Sequence, residues 1–212
     1  MSLRLNLTDT VKAVRSKVNK LIARRINSVL LRRQAKAVRL LKQSIRRWIE
    51  QQPEVQSLLS QGEQGSLNAK FGLPPGTPEI TIESIIDILE NAVDVNIKKV
   101  DQNLIGGLDI IIRGSAITSI LGISSGSIRS EIGTPLNWLE WLLTRGDQVI
   151  IVGYRYIPRE DGRSGGGVMR RGKSFRVTPV EYSGVEGDNF ITRAFQGRDA
   201  EISKILSVAL RG

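Results

Sequence analysis

Residues 133–154 read GTPLNWLEWLLTRGDQVIIVGY, and the reading of this stretch decides the fold. Thr134 followed by Pro135 has the form of a helix start, with a hydroxyl to accept from free amides and a proline at the first helical position. Leu136, Leu139, Leu142 and Leu143 then recur at helical spacing, with Trp138 and Trp141 beside them, which predicts one buried face. Gly146 is placed to stop the helix in the left-handed conformation. Val149 to Val152 are all β-branched and too few for a helix, so a strand follows. This helix–strand unit is the expected centre of the core.

Downstream, the strand is expected to run to about Ile157 and turn through the glycine- and charge-rich loop Pro158–Gly167. It would return over Val168–Arg171 and Ser174–Val177 as a long hairpin. A turn over Gly184–Asn189, a short helix over Phe190–Phe195 and a closing amphipathic helix over Ala200–Leu210 complete that end. Upstream, Val93–Lys98 alternates with period two and Leu108–Arg113 follows a Gly106-Gly107 turn, predicting an antiparallel pair. Before these, Thr77-Pro78 repeats the helix-start signal, and Ile82, Ile85, Ile86 and Leu89 form one face. Residues 114–132, rich in Gly and Ser, carry no clear periodicity.

The N-terminal fifty residues have a different character. Residues 1–50 hold fourteen Lys and Arg against Asp9 and Glu50, a balance of +12; the other 162 hold seventeen basic and nineteen acidic, a balance of −2. No Gly or Pro interrupts Thr10 to Gln52, so one helix is predicted, capped by Thr8 or Asp9. Val11, Val14, Val18, Leu21, Ile22, Ile26 and Val29 give it an apolar stripe, resumed by Ala37, Leu40, Leu41, Ile45 and Trp48. At such a length a break near Asn27-Ser28 or a projecting arm is expected. Glu54–Leu59 adds a turn of helix, and the Gly-, Pro- and Ser-rich residues 60–76 read as a linker.

The chain has no Cys and no His. Disulfides, Cys- or His-ligated metals and triads that use histidine are thereby excluded. No acid/base carboxylate pair stands out in the linear order, and the expectation is a protein without a catalytic site, cofactor or metal. The N-terminus lacks the apolar core of a secretory signal, and the longest apolar run, Val149–Val152, is far below the roughly 18 residues of a membrane span. A soluble protein made in a cytoplasm, with no membrane partner, is expected.

Gly167-Val168-Met169-Arg170-Arg171-Gly172-Lys173-Ser174 matches the phosphate-binding loop pattern letter for letter. That chemistry needs a helix after the lysine, so that its N-terminus faces the phosphates. Here Phe175-Arg176-Val177-Thr178-Pro179 follows, which is strand-like and ends in proline, so a hairpin strand with a Gly turn is the preferred reading. The basic helix could neutralise phosphates or dock on an acidic partner; Trp48, its only aromatic residue, gives no platform for stacked bases. Arg24, Arg25, Arg32, Arg33, Arg46 and Arg47 are the candidate contacts for an acidic partner or DNA. Trp138 and Trp141 lie three apart, so that one is expected to flank the core while the other anchors a neighbouring subunit.

Five segments together resemble a known family. They are Gln51-Gln52-Pro53-Glu54-Val55-Gln56-Ser57-Leu58, Lys70-Phe71-Gly72-Leu73-Pro74, Pro135 through Leu143, Arg163-Ser164-Gly165-Gly166-Gly167-Val168-Met169, and Asp188-Asn189-Phe190-Ile191-Thr192-Arg193-Ala194. Their order and spacing resemble neck proteins of tailed bacteriophages, especially cyanophage myoviruses. The ending is also similar to tail-completion and terminator proteins of long-tailed phages. The resemblance covers about residues 45–200 and leaves out most of the basic helix. It implies a non-catalytic α+β protein of the virion neck, assembled in the host cytoplasm as a six- or twelvefold homo-oligomeric ring. Such a ring joins the head to the tail and leaves a channel for DNA. The implied partners are further copies of the chain and neighbouring neck rings, or the portal and tail tube.

The expected architecture is therefore α+β: a long basic N-terminal helix, then a mostly antiparallel sheet packed with two or three helices, with a long hairpin loop. The expected division is a helical arm over 1–52, a linker over 53–79 and a core domain over 80–212. Trp138, Trp141, Arg159, Arg163, Arg170 and Arg171 are the candidate subunit contacts, with Pro158–Gly167 as a loop that reaches a neighbour. The alternative function is a basic nucleic-acid-binding or packaging accessory protein acting through residues 1–50.

Overall fold

The computed structural model describes residues 9–129, 135–146, 151–158, 162–175, 182 and 184–211. The chain is α+β, as its patterning predicts. In order it forms α1 (Val11–Glu50), α2 (Pro53–Leu59), α3 (Leu67–Phe71), α4 (Thr77–Ala92), β1 (Val93–Lys98), β2 (Gly107–Ile112) and α5 (Ser115–Leu121). A 3-10 turn (Ser124–Gly126), β3 (Ile128–Arg129), β4 (Pro135–Leu136), α6 (Trp138–Thr144), β5 (Ile151–Ile157), β6 (Val168–Phe175), α7 (Phe190–Phe195) and α8 (Asp199–Arg211) follow. Among the described residues the strands pair as two-stranded ribbons, β1 with β2, β3 with β4 and β5 with β6, rather than as one sheet. Residues 1–41, 93–111 and 199–212 make one compact unit, and residues 42–92 with 112–198 make a second.

The first unit is built on α1. The helix runs unbroken for 40 residues, about 60 Å at 1.5 Å per residue. Thr10 accepts at its start, from Ala13 N–H at 3.2 Å, and Asp9 pairs with Lys17; Thr8 lies outside the described residues. The break expected at Asn27-Ser28 does not occur, because the Asn27 side chain has a tertiary partner instead of competing for the helix backbone. Its Nδ2 donates to Val100 O at 2.9 Å and its Oδ1 accepts from Val100 N–H at 2.8 Å. Asn19 donates to Gln102 O and Gln34 to Val95 O in the same manner. The three amides stand eight and seven residues apart, on one helical face. They hold α1 against the backbone of β1 and the turn after it. Ala23, Leu30 and Val100 pack beneath them, with Ile97, Leu108 and Leu210 at the edge.

The second unit carries the larger core, and here residues 53–79 depart from the expected linker. The Ser66 side chain accepts from Ala69 N–H and caps α3, whose Leu67, Asn68, Ala69 and Phe71 are all buried. The Phe71 ring sits 6.0 Å from the Trp138 ring and 5.9 Å from that of Trp141. The glycines and prolines that read as a linker are the turns that return a short buried helix to the core. Ile82, Ile85, Ile86 and Leu89 of α4 are buried as their spacing predicts.

The start of α6 also differs. Pro135 and Leu136 are extended and pair with Arg129 and Ile128, so the helix begins only at Trp138, after Asn137. Proline disfavours helix in the residue before it and tolerates an edge strand, which is the use made of it here. Thr134 lies outside the described residues. The helix ends on Arg145, whose N–H bonds to Trp141 O, and Gly146 donates to Gly184 O at 2.8 Å instead of serving as the stop.

The hairpin forms as expected, with Ile151 opposite Phe175 and Ile157 opposite Val168, and an irregularity in register between Val152 and Tyr154. Val149, Ile150, Arg176 and Val177, also expected in its strands, lie outside the described residues. The phosphate-loop look-alike thus falls in β6, as a hairpin strand. Helix α7 starts with a capping box: Asn189 Oδ1 accepts from Ile191 and Thr192 N–H, and Thr192 Oγ1 accepts from Asn189 N–H.

Candidate interaction surface

The candidate contacts separate once their surroundings are known. Trp138 and Trp141 are 0 % and 3 % exposed, so neither is a surface anchor. Trp138 Nε1 donates to Ser125 O at 3.0 Å, and both rings lie against Phe71. The helical spacing gave both rings to one side of α6, and α3, which the sequence hides among loop residues, closes over them.

Arg163 is also engaged within its own chain. Its Nε donates to Gly72 O at 2.7 Å. Gly62 N–H donates to Ser164 O, Tyr156 Oη donates to Gly166 O at 2.8 Å, and Gly65 N–H donates to Tyr156 Oη. A Cβ on Gly166 would stand 2.7 Å from both Ala69 Cβ and Glu63 O, so only glycine allows this approach. Of the loop Pro158–Gly167, expected to reach a neighbour, residues 162–167 are held on residues 62–72, and residues 159–161 lie outside the described residues. Arg170 is exposed on β6. Arg159 and the side chain of Arg171 lie outside the described residues.

Of the basic candidates, Arg46 is taken up within the second unit. Its Nη1 lies 2.9 Å from each oxygen of Glu83, and its guanidinium is 3.5 Å from Glu90 and 3.7 Å from Glu50. The hydrogen bond with Glu83 raises its pKa above the ordinary value, against a smaller opposing effect of burial. Arg47 is exposed in the last turn of α1, where a cation meets the negative end of the helix dipole.

Arg24, Arg25, Arg32 and Arg33 belong to the first unit. The first three are exposed and Arg33 is half-buried. Arg32 also holds to its own helix, donating to Ser28 Oγ at 2.8 Å. Arg25, Arg32 and Arg33 line a cleft of about 530 Å³ with Val29 and Leu210 as its apolar floor; among the described residues no carboxylate lines it. A second cleft of about 390 Å³ is bounded by Lys20, Arg24, Asn27 and Asp101. Beside the arginines, Val11, Val18, Ile22 and Ile26 of the same helix are 81, 46, 41 and 36 % exposed. The apolar stripe legible in the sequence is thus left largely uncovered, while the adjacent face, with Asn19, Ala23, Asn27, Leu30 and Gln34, meets the β1–β2 hairpin.

Among the described residues no three carboxylates gather as a metal site, and no helix is long and apolar enough to cross a membrane. One arrangement was not legible beforehand: Glu54, buried at the start of α2, pairs with Arg193 of α7. Both residues lie in segments singled out above, but nothing in a linear reading pairs positions 139 apart.

No family model, curated protein or solved structure matches the chain.

Proposed function

We propose that this protein is a non-catalytic ring component of a tailed-phage neck, of the tail-completion or terminator kind, which joins head to tail and leaves a channel for DNA. The observation that carries the reading is the meeting of the five segments on which the resemblance rests. Phe71 packs on Trp138 and Trp141, Arg163 bonds to Gly72, Asn189 donates to Leu143 O, and Arg193 pairs with Glu54. Segments scattered over about 140 residues thus form one core, which is what a shared fold requires of them. Its proposed partners are further copies of itself and the neighbouring neck rings or the portal and tail tube.

The test is electron microscopy of the particle and of the purified protein with its partners. A closed six- or twelvefold ring at the neck is the expected result. Particles that lack this chain, together with a protein that stays monomeric beside its partners, would overturn the proposal.

The second reading, a nucleic-acid-binding or packaging accessory protein acting through residues 1–50, is favoured by the exposure of Arg24, Arg25 and Arg32. It predicts salt-dependent, sequence-independent DNA binding that charge reversal at these arginines abolishes.

A further inference from the structure

From the surface of α1 we infer that its N-terminal half is a docking site for an acidic amphipathic helix of another protein. Val11, Val18, Ile22, Ile26 and Val29 follow one another at steps of seven, four, four and three, and so lie on one face. The row is about 27 Å long at 1.5 Å per residue. It ends in the cleft where Arg25, Arg32 and Arg33 surround Val29 and Leu210. Arg25 and Arg32 border the row on one side, and Arg15 and Arg33 stand within it, so guanidiniums are set along its length.

Charge decides among the occupants. Val11–Arg33 contains eight Lys and Arg and no Asp or Glu. A second copy of this helix would set eight cations against eight, and like charges across a helix pair are destabilising. A duplex of DNA would neutralise the arginines but leave the valines and isoleucines in water, with no return for burying them. A helix with an aliphatic stripe and glutamates or aspartates on its margins meets both demands: its stripe covers the row, and its carboxylates meet guanidiniums that can bind them bidentately. The three arginines around Val29 then fix where that helix ends on the surface. This inference stands apart from the neck reading, since an assembly protein of any kind could carry the site.

The experiment uses the full-length chain and a synthetic helical probe roughly three heptads long, with leucine along its stripe and glutamate on its margins, followed by fluorescence anisotropy. Saturable binding at low salt is expected. It should weaken at least about tenfold with the pair Ile22→Ser and Ile26→Ser, and by a similar factor with Arg25→Glu and Arg33→Glu. Replacing the probe's glutamates with glutamine should have the same effect. Circular dichroism checks that each variant still folds, and Val18→Ser with Ile22→Ser serves in place of a pair that does not. Absence of saturable binding overturns the inference. So does binding that the serine variants leave unchanged, or a duplex DNA or anionic vesicle that binds more tightly than the probe; these would assign the surface to phosphate or lipid.

Discussion

The carboxylate of Glu54 is paired with the guanidinium of Arg193, and the acid is almost wholly buried while the base is 28 % exposed. Glu54 stands in the first turn of α2, where the free amides of the helix favour a negative charge. Arg193 reaches it from α7 and also holds Asp188 at 2.8 Å. Removing the base leaves a buried carboxylate with no counter-charge, and its Oε2 already lacks a hydrogen-bond partner. Arg193→Ala should therefore destabilise the second unit by about 3 kcal/mol, while the double variant Glu54→Leu with Arg193→Met should recover most of that loss. Urea unfolding of the three proteins checks this, and a double variant no more stable than the single one contradicts it.

Trp138 fills the space between Phe71 and the 3-10 turn at Ser125. Trp138→Ala should cost about 3–5 kcal/mol through the cavity it leaves. Trp138→Phe should cost about 1–3 kcal/mol, because Ser125 O loses its donor. Both belong to the subunit's interior, so light scattering should show the association state of the folded Phe variant unchanged. A variant that keeps its stability and loses self-association would return Trp138 to the interface.

The Asn27 side chain satisfies both backbone groups of Val100. Asn27→Leu retains helix propensity but leaves a part-buried N–H and C=O without these partners, so about 2 kcal/mol of destabilisation is expected in the first unit. Amide exchange at Val100 reads the effect directly and should accelerate in the variant. Unchanged protection there would mean that the amide ladder does not hold the hairpin.

Asp101 shapes the turn between β1 and β2. Its carboxylate accepts from Ile105 N–H at 3.0 Å and from Asn103 N–H at 2.8 Å, and these bonds, with Ile105 first, hold its pKa below the ordinary aspartate value of 3.8. A lowered folded-state pKa means stability that is present above the ordinary value and lost as pH falls through the depressed one. Exchange at the Ile105 amide should accelerate on acidification below about pH 4 beyond what the solvent alone causes. Asp101→Asn, which keeps an acceptor oxygen, should remove that extra pH dependence with less loss of protection than Asp101→Ala. Equal pH dependence in all three proteins would contradict the assignment.

Periodicity made much of the fold legible. The stripe of α4, the alternation of β1, the long hairpin and the short helix α7 rest on spacings of two, three or four residues, which neighbours in sequence largely determine. Where two local signals competed, the linear reading failed. Thr134-Pro135 has the form of a helix start, yet a ladder with Ile128 and Arg129 takes Pro135 and Leu136 into a strand. Asn27 reads as a helix breaker only while its amide has no partner. Of the candidate contacts, the exposed arginines of α1 could be placed from a helical wheel. The fates of Trp138, Trp141 and Arg163 could not, since what covers them lies in α3 and the turns around it.

By itself the sequence determined which faces are apolar, where the positive charge collects, and that chemistry using histidine or cysteine is absent. These are properties of composition and of helical or strand period, and no distant residue can alter them. Only the tertiary structure decided which apolar faces are covered. Burial depends on segments far apart in the chain: Phe71 closes over two tryptophans, Gly72 takes Arg163, and Glu54 meets Arg193, while the row from Val11 to Val29 stays largely open to solvent. A stripe in the sequence states that a partner is required; whether that partner lies in the same chain is settled only by which long-range contacts form and leave it uncovered.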